Sequence, residues 1–304
     1  MNMEYLPAPS MPDWINDQLK MDKRYMLDIE GWKMHVMESG NGFPVLMVHG
    51  NPTWGFLYRK IVDLLPKDTF RCIMPDLIGL GFSDKPRNGS LHQLENHGRW
   101  MDLLIRKLGL TELILVVQDW GGPIGMLGVA EQLPVLKGLV VLNTTLRPPK
   151  PGFKPTWFHR LSQMPVISDL LFRGLCFPQR LLSIAQGDPN SISGIIAKAY
   201  IYPLKGWRNN VAPLALARMV PDSQVHPSVE QLKKVEIAVR SFDGPSAIVW
   251  GKRDPVLGRV LNSIKAILPQ SSVELTGAGH FIQEEEPEKI AAAIQKVFKQ
   301  LSDS

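Results

Sequence analysis

The sequence predicts an α/β protein: a mostly parallel, eight-stranded sheet flanked by helices, with one helical insert. Three observations carry that expectation. Short apolar runs of strand length alternate with helix-length segments along most of the 304 residues, as in sheets covered on both faces. The apolar runs end in polar or glycine-bearing loops, where open α/β sheets gather their reactive side chains. Between residues 147 and 225 the alternation stops and no strand signal remains.

Residues 1–20 read as an extended arm. Tyr25–Glu30 and Lys33–Glu38 fit two short strands with Glu30-Gly31 at their turn. Pro44–Val48 then reads as a strand, Phe56–Leu65 as a helix and Phe70–Met74 as a strand. The amphipathic helix Leu91–Leu108, the buried strand Leu113–Gln118, the helix Pro123–Glu131 and the strand Leu139–Asn143 follow. Pro148, Pro149, Pro151 and Pro155 cannot continue a helix and mark a linker. Residues 156–225 look helical, broken by further prolines. Alternation resumes with helix Val229–Val239, strand Ala247–Trp250, helix Val256–Leu268, strand Ser272–Leu275 and helix Pro287–Leu301. The expected division is a core of residues 1–146 and 226–304 carrying a cap of residues 147–225.

Composition narrows the function classes. With 44% hydrophobic and 21% charged residues, the chain is of ordinary globular type. A net charge of +5 without a dense Lys/Arg cluster argues against nucleic acid as a partner. No run of 18 apolar residues suggests a membrane span, and no secretory leader is evident. Two cysteines are too few for a disulfide framework, and Cys72 lies in an apolar run, which suits a reducing, cytoplasmic setting.

The chemistry centres on Leu115-Val116-Val117-Gln118-Asp119-Trp120-Gly121-Gly122. A sharp strand-to-helix turn here lifts Asp119 out of the sheet at the positive end of a helix. A carboxylate so displayed can attack an electrophilic carbon and form an enzyme-bound ester. Taken alone, Asp119 reads more simply as a helix N-cap; its partners shift the balance. His49-Gly50-Asn51-Pro52-Thr53-Trp54 forms a loop whose backbone N–H groups can face an anion, and Asn51 adds amide donors, although an Asn-Pro turn is the plain alternative. Asp254 can accept from a histidine ring or cap the helix after Pro255. His280, in Gly277-Ala278-Gly279-His280, follows the last strand and is poorly placed for core filling. The order nucleophile, acid, histidine is that of the serine hydrolases of this pattern. His35, His49, His92, His97, His159 and His226 show no metal-ligand spacing and read as structural or surface residues, so no metal and no cofactor is expected.

Together these motifs resemble the α/β-hydrolase fold over roughly residues 20–300, and within it the haloalkane dehalogenases. The resemblance implies Asp119 as nucleophile, His280 as base and Asp254 as its acid partner. It implies Asn51 and Trp120 as halide-binding residues, with the backbone N–H groups of the same two residues as the oxyanion hole. Asn143 stands where one subgroup carries glutamate; an acid at Asp254 with an Asn/Trp pair is similar to a third subgroup, whose members often self-associate. The implied partners are a small apolar halogenated substrate, water and the halide product. Gln118 stands where many relatives have histidine, and its side chain is expected to point away from the nucleophile. The insert supplies Trp157, Phe158, Phe172, Phe177 and Trp207, read as cap core rather than pocket wall.

Rival readings share the fold. An epoxide hydrolase needs a cap tyrosine, for which Tyr200 and Tyr202 are the candidates, and usually has phenylalanine at the position of Asn51. A fluoroacetate-type dehalogenase needs cap arginines, for which Arg147, Arg160, Arg173 and Arg180 are available. A non-catalytic binding protein normally lacks a triad member, and this chain keeps all three.

Overall fold

The structure is a computed structural model and describes residues 5–302. Its nine strands form one sheet in the order β1-β2-β3-β5-β4-β6-β7-β8-β9. They are β1 Leu6–Pro7, β2 Lys23–Ile29, β3 Trp32–Ser39, β4 Phe43–Val48, β5 Phe70–Pro75, β6 Leu113–Asp119, β7 Leu136–Thr144, β8 Ser246–Gly251 and β9 Ser272–Thr276. The pairings from β5 through β9 are parallel, while β1, β2 and β3 add in antiparallel fashion.

The expected eight strands are thus nine among the described residues. The addition, β1, is a two-residue edge pairing of Leu6 and Pro7 with Met26 and Tyr25, too short to show alternation and tolerant of proline because its outer side is free. The arm is also less extended than expected. Asp13–Asn16 is a helical turn that buries Ile15 completely. Residues 1–4 of the arm lie outside the described residues.

Both faces of the sheet are covered. Along β4 and β6, Leu46, Val48, Leu115 and Val117 join one apolar cluster with side chains of helices Leu94–Lys107, Gly121–Ala130 and Ser228–Arg240. The alternating set Val45, Met47, Ile114 and Val116 joins a second cluster with helices Arg59–Leu64 and Pro287–Ser302. Strands buried on both faces read as continuous apolar runs, which is why they were legible. Between β7 and β8 the chain makes a series of short helices, from Trp157–Ser162 to Val211–Arg218, with no strand among the described residues.

That helical segment is fastened to the core in several places. Trp54 Nε1 donates to the Ala199 carbonyl at 3.1 Å. Tyr200 is buried, and its hydroxyl donates to Glu284, which also takes a two-pronged ion pair from buried Arg59. The backbone N–H of His280 donates to the Ala185 carbonyl at 2.8 Å. Beside it, Phe281 N–H donates to Gln186 Oε1 at 2.9 Å.

Candidate active site

Asp119 closes β6 with a φ of +49°, a conformation rare for residues other than glycine. The turn is tight because its neighbours are glycines. A Cβ on Gly121 would lie 2.0 Å from the Val48 carbonyl oxygen, and one on Gly50 would lie 2.3 Å from Asp119 Cβ. The loops after β4 and β6 can touch only without those side chains. The Thr144 hydroxyl at the end of β7 donates to the Asp119 carbonyl, holding the turn from the other side.

The Asp119 carboxylate has two unlike oxygens. Oδ1 accepts from the Asn51 backbone N–H at 2.8 Å, while Oδ2 lies 3.6 Å from His280 Nε2. His280 Nδ1 is 2.9 Å from Asp254 Oδ2. The two sequence readings of Asp254 hold at once: Oδ2 meets the ring, while Oδ1 accepts from the N–H groups of Val256 and Leu257 at 2.7 and 3.0 Å, capping the turn. Asn143 adds a bond from its amide to the same Oδ2 at 2.8 Å, and is itself fixed by both the N–H and the carbonyl of Gly251.

Burial alone would lower the pKa of His280, but Asp254 and Asp119 outweigh it and raise it to about 10. Burial opposes ionisation of Asp254, yet the His280 charge and the bonds from Leu257 and Asn143 hold its pKa below the ordinary value. Buried Asp254 and partly buried Asp119 thus favour the charged form of the ring. A raised histidine pKa stabilises the fold fully below about pH 6.5 and loses that contribution as pH climbs through about 10. The urea midpoint is expected to fall across that window, and the fall to shrink in His280→Gln; equal pH dependence in both proteins would refute the assignment.

Two cavities meet at this carboxylate. The larger, about 680 Å³, is walled by Phe153, Pro149, Val220, Leu232 and Val260 and carries Arg147, Lys150 and Arg259. The smaller, about 400 Å³, is walled by Trp157, Phe158, Leu181, Leu182 and Phe281 and reaches Asn51 and His280. Asp119, Trp120, Thr156, His159 and Val256 line both. One N–H of the Asn51 amide is committed to the Pro213 carbonyl at 3.0 Å, which leaves its second N–H as a donor.

A family model for the alpha/beta hydrolase fold matches residues 44–287. Haloalkane dehalogenase 2 of Mycobacterium tuberculosis is 32% identical over 98% of this chain and 100% of its own. The chain belongs to the α/β-hydrolase family, with the haloalkane dehalogenases among its relatives. Like it in sequence too is a cis-3-alkyl-4-alkyloxetan-2-one decarboxylase of Shewanella oneidensis, 34% identical over 92% of this chain and 89% of that one. In shape, haloalkane dehalogenase DatA of Agrobacterium tumefaciens C58 matches with a TM-score of 0.82 at 25% identity, covering 92% of this chain and 97% of that one.

Several residues of this α/β hydrolase differ from their sequence reading. Gln118 does not point away: its amide donates to the His280 carbonyl at 3.0 Å and lies 3.3 Å from His280 Nε2. A register shift between Val117 and Asp119 breaks the strand alternation on which the expectation rested. His159 is neither structural filler nor surface. It lines both cavities, its Nδ1 lies 2.7 Å from the Thr156 hydroxyl, and burial drives its pKa down to about 4 against the pull of Asp119. Trp157 and Phe158 line a cavity, whereas Phe172 packs inside the helical segment with Phe177 against it. Trp207 is exposed. Tyr200 is spent on Glu284, and Tyr202 packs on Trp14 and Phe82. Neither tyrosine lines either cavity. Of Arg147, Arg160, Arg173 and Arg180, Arg147 does.

Proposed function

We propose that this chain is a haloalkane dehalogenase that hydrolyses a carbon–halogen bond to an alcohol, a halide and a proton, with core 1–146 and 226–304 under a cap of 147–225. The observation that supports this most is the asymmetry of the Asp119 carboxylate: one oxygen on the Asn51 N–H at 2.8 Å, the other facing His280. The unheld Oδ2 attacks the carbon opposite the halogen, and the bonding pair leaves with the halide. Alignment of the two reactants lowers the barrier by roughly 7–11 kcal/mol. The Trp120 indole and the free N–H of Asn51 receive the halide in place of water.

Alkylation removes the negative charge of Asp119, and with it part of what keeps His280 protonated. The ring then loses its proton to solvent, which is the proton the reaction yields, and takes one from a water whose oxygen bonds to Cγ of the ester. The resulting oxyanion forms on Oδ1, already seated on the Asn51 N–H and completed by the Trp120 N–H. Collapse breaks the bond from Cγ to the alkylated oxygen, and the leaving alkoxide takes the proton of the new carboxylic acid, giving the alcohol and Asp119 as a carboxylate. Asp254 steadies the imidazolium formed on the way, and Asn143 and Gln118 hold the acid and the ring in register.

The decisive experiment measures free halide and alcohol from a panel of bromo- and chloroalkanes. Equal amounts of both support the reading, and no halide from any member overturns it. Trp120→Phe removes one oriented donor at the developing anion, worth about 2.7–4 kcal/mol, so halide release is expected to fall about 10²–10³-fold. Release near the wild-type rate would take the halide role from the indole.

A second reading is favoured by the two cavities and their basic groups. A 3,4-dialkyl oxetan-2-one carries two arms, and displacement at its ring C–O bond leaves a carboxylate, for which Arg147 and Lys150 offer countercharge. Loss of carbon dioxide with expulsion of Asp119 then gives an alkene and uses no water. Carbon dioxide and alkene from such a lactone, with no halide from the alkanes, would move the assignment there.

A further inference from the structure

The helical segment has a surface unlike the rest of the molecule. Residues 147–225 hold ten Lys/Arg against three Asp/Glu, a surplus of seven positive charges in a chain whose total is +5. The remainder is therefore net negative by two. Apolar exposure is concentrated in the same stretch: of fifteen large hydrophobic side chains exposed among the described residues, ten lie there. A monomer in water scatters such residues singly, and their concentration marks a surface with an apolar partner.

Part of this surface is demonstrably continuous. A Cβ on Gly174 would meet Trp207 at 3.4 Å and Leu170 at 3.5 Å, so these two exposed side chains come close to one point. The Leu170 N–H donates to the Val166 carbonyl at 2.9 Å, which ties on the run 163–167, every residue of which is exposed. Val166 is the sharpest feature. It is β-branched, has a φ of +63° and is 79% exposed. Left-handed backbone is strained for such a residue, and here it holds an aliphatic group in water. Neither condition helps a cap that only covers a pocket.

On the same segment Arg160, Arg180, Lys205 and Arg208 are exposed. Of the three acids in the segment, Asp169 is already paired with Arg173 at 2.8 Å. Aliphatic and tryptophan side chains amid unopposed cations are the composition of a surface that settles into the headgroup layer of a bilayer, its cations on lipid phosphates. A protein partner would have to be both acidic and apolar; an anionic lipid surface is both over its whole extent.

We propose that this face of the helical segment docks on an anionic lipid surface. Trp157 and Ile184, both exposed and both lining the smaller cavity, bring the path to Asp119 onto the same segment. Apolar substrates dissolved in the bilayer then reach the carboxylate without crossing water. The docking stands on surface composition and does not depend on which carbon–heteroatom bond is broken.

The test is flotation of the full chain with vesicles of phosphatidylcholine alone or mixed with phosphatidylglycerol. The protein is expected to float with the mixed vesicles at low salt, to stay behind with the neutral ones, and to detach at ~0.5 M salt, where charge is screened within about 4 Å. The double variant Val166→Asp, Ile167→Asp lies outside both cavities and is expected to keep the wild-type melting curve while binding roughly tenfold more weakly. Failure of the wild type to float overturns the proposal, as does flotation of the double variant at full strength. A wild-type dimer in sedimentation that the double variant dissociates also overturns it, by giving the face to a second copy.

Discussion

Replacing His280 with alanine is expected to leave an enzyme that releases one equivalent of halide and then stops. Displacement of halide from an alkyl carbon needs a carboxylate and an anion site, and Asp119, Asn51 and Trp120 remain. What is lost is the group that removes a proton from the attacking water. The ester should therefore accumulate, and intact-protein mass should rise by one alkyl group less a proton, on the peptide containing Asp119. Multiple turnover is expected to drop by roughly a million-fold, the scale seen when a triad that works as a unit loses its base. The resting charge state sharpens the expectation. His280 sits between Asp254 and Asp119, which raise its pKa to about 10, so in the proposed cycle esterification of Asp119 removes one of the two charges that favour its protonated form. Repeated turnover by His280→Ala, or halide release without an adduct, would be incompatible with this order of events.

Asp119→Ala is expected to release no halide at all, not even a first equivalent. Its rate should fall to that of solvent hydrolysis, a loss on the order of a million-fold, because no other carboxylate can take its place. Asp254 is spent on His280, Asn143 and the turn at Val256. The paired outcome carries the information: one equivalent from the histidine variant and none from the aspartate variant separates covalent catalysis from direct attack by water. A first burst of halide in Asp119→Ala would mean that His280 activates water directly at the substrate carbon.

Much of this was legible in the sequence because it was written in local patterns. The parallel strands are continuous apolar runs, and the elbow glycines Gly121 and Gly122, with Gly279 beside His280, are demanded by contacts as close as 2.0 Å. The two contacts weighed for Asp254, the turn and the ring, occur together because one carboxylate has an oxygen for each. What stayed hidden depends on contacts across long stretches of chain. His159 is separated from Asp119 by 40 positions and comes near it only through the packing of the helical segment. Asn143 looked like a missing acid, and its value lies in the amide it offers to Asp254, 111 positions on. Gln118 was misread because the alternation rule fails at the register shift one residue before the elbow. The ninth strand was too short for any periodicity to reveal.

The bonds from His280 N–H to the Ala185 carbonyl and from Phe281 N–H to Gln186 bear on how such chains recombine. By sequence, residues 147–225 look like a module that can be cut out at its two seams and exchanged for another. By contact they are not self-contained. A Cβ on Gly279 would sit 2.2 Å from the Ala185 carbonyl oxygen, so the loop that carries the histidine is moulded on the inserted segment. A chimera spliced at the proline seams therefore inherits its histidine geometry from the donor of residues 185 and 186, and the loop of residues 277–281 has to travel with them as one heritable unit.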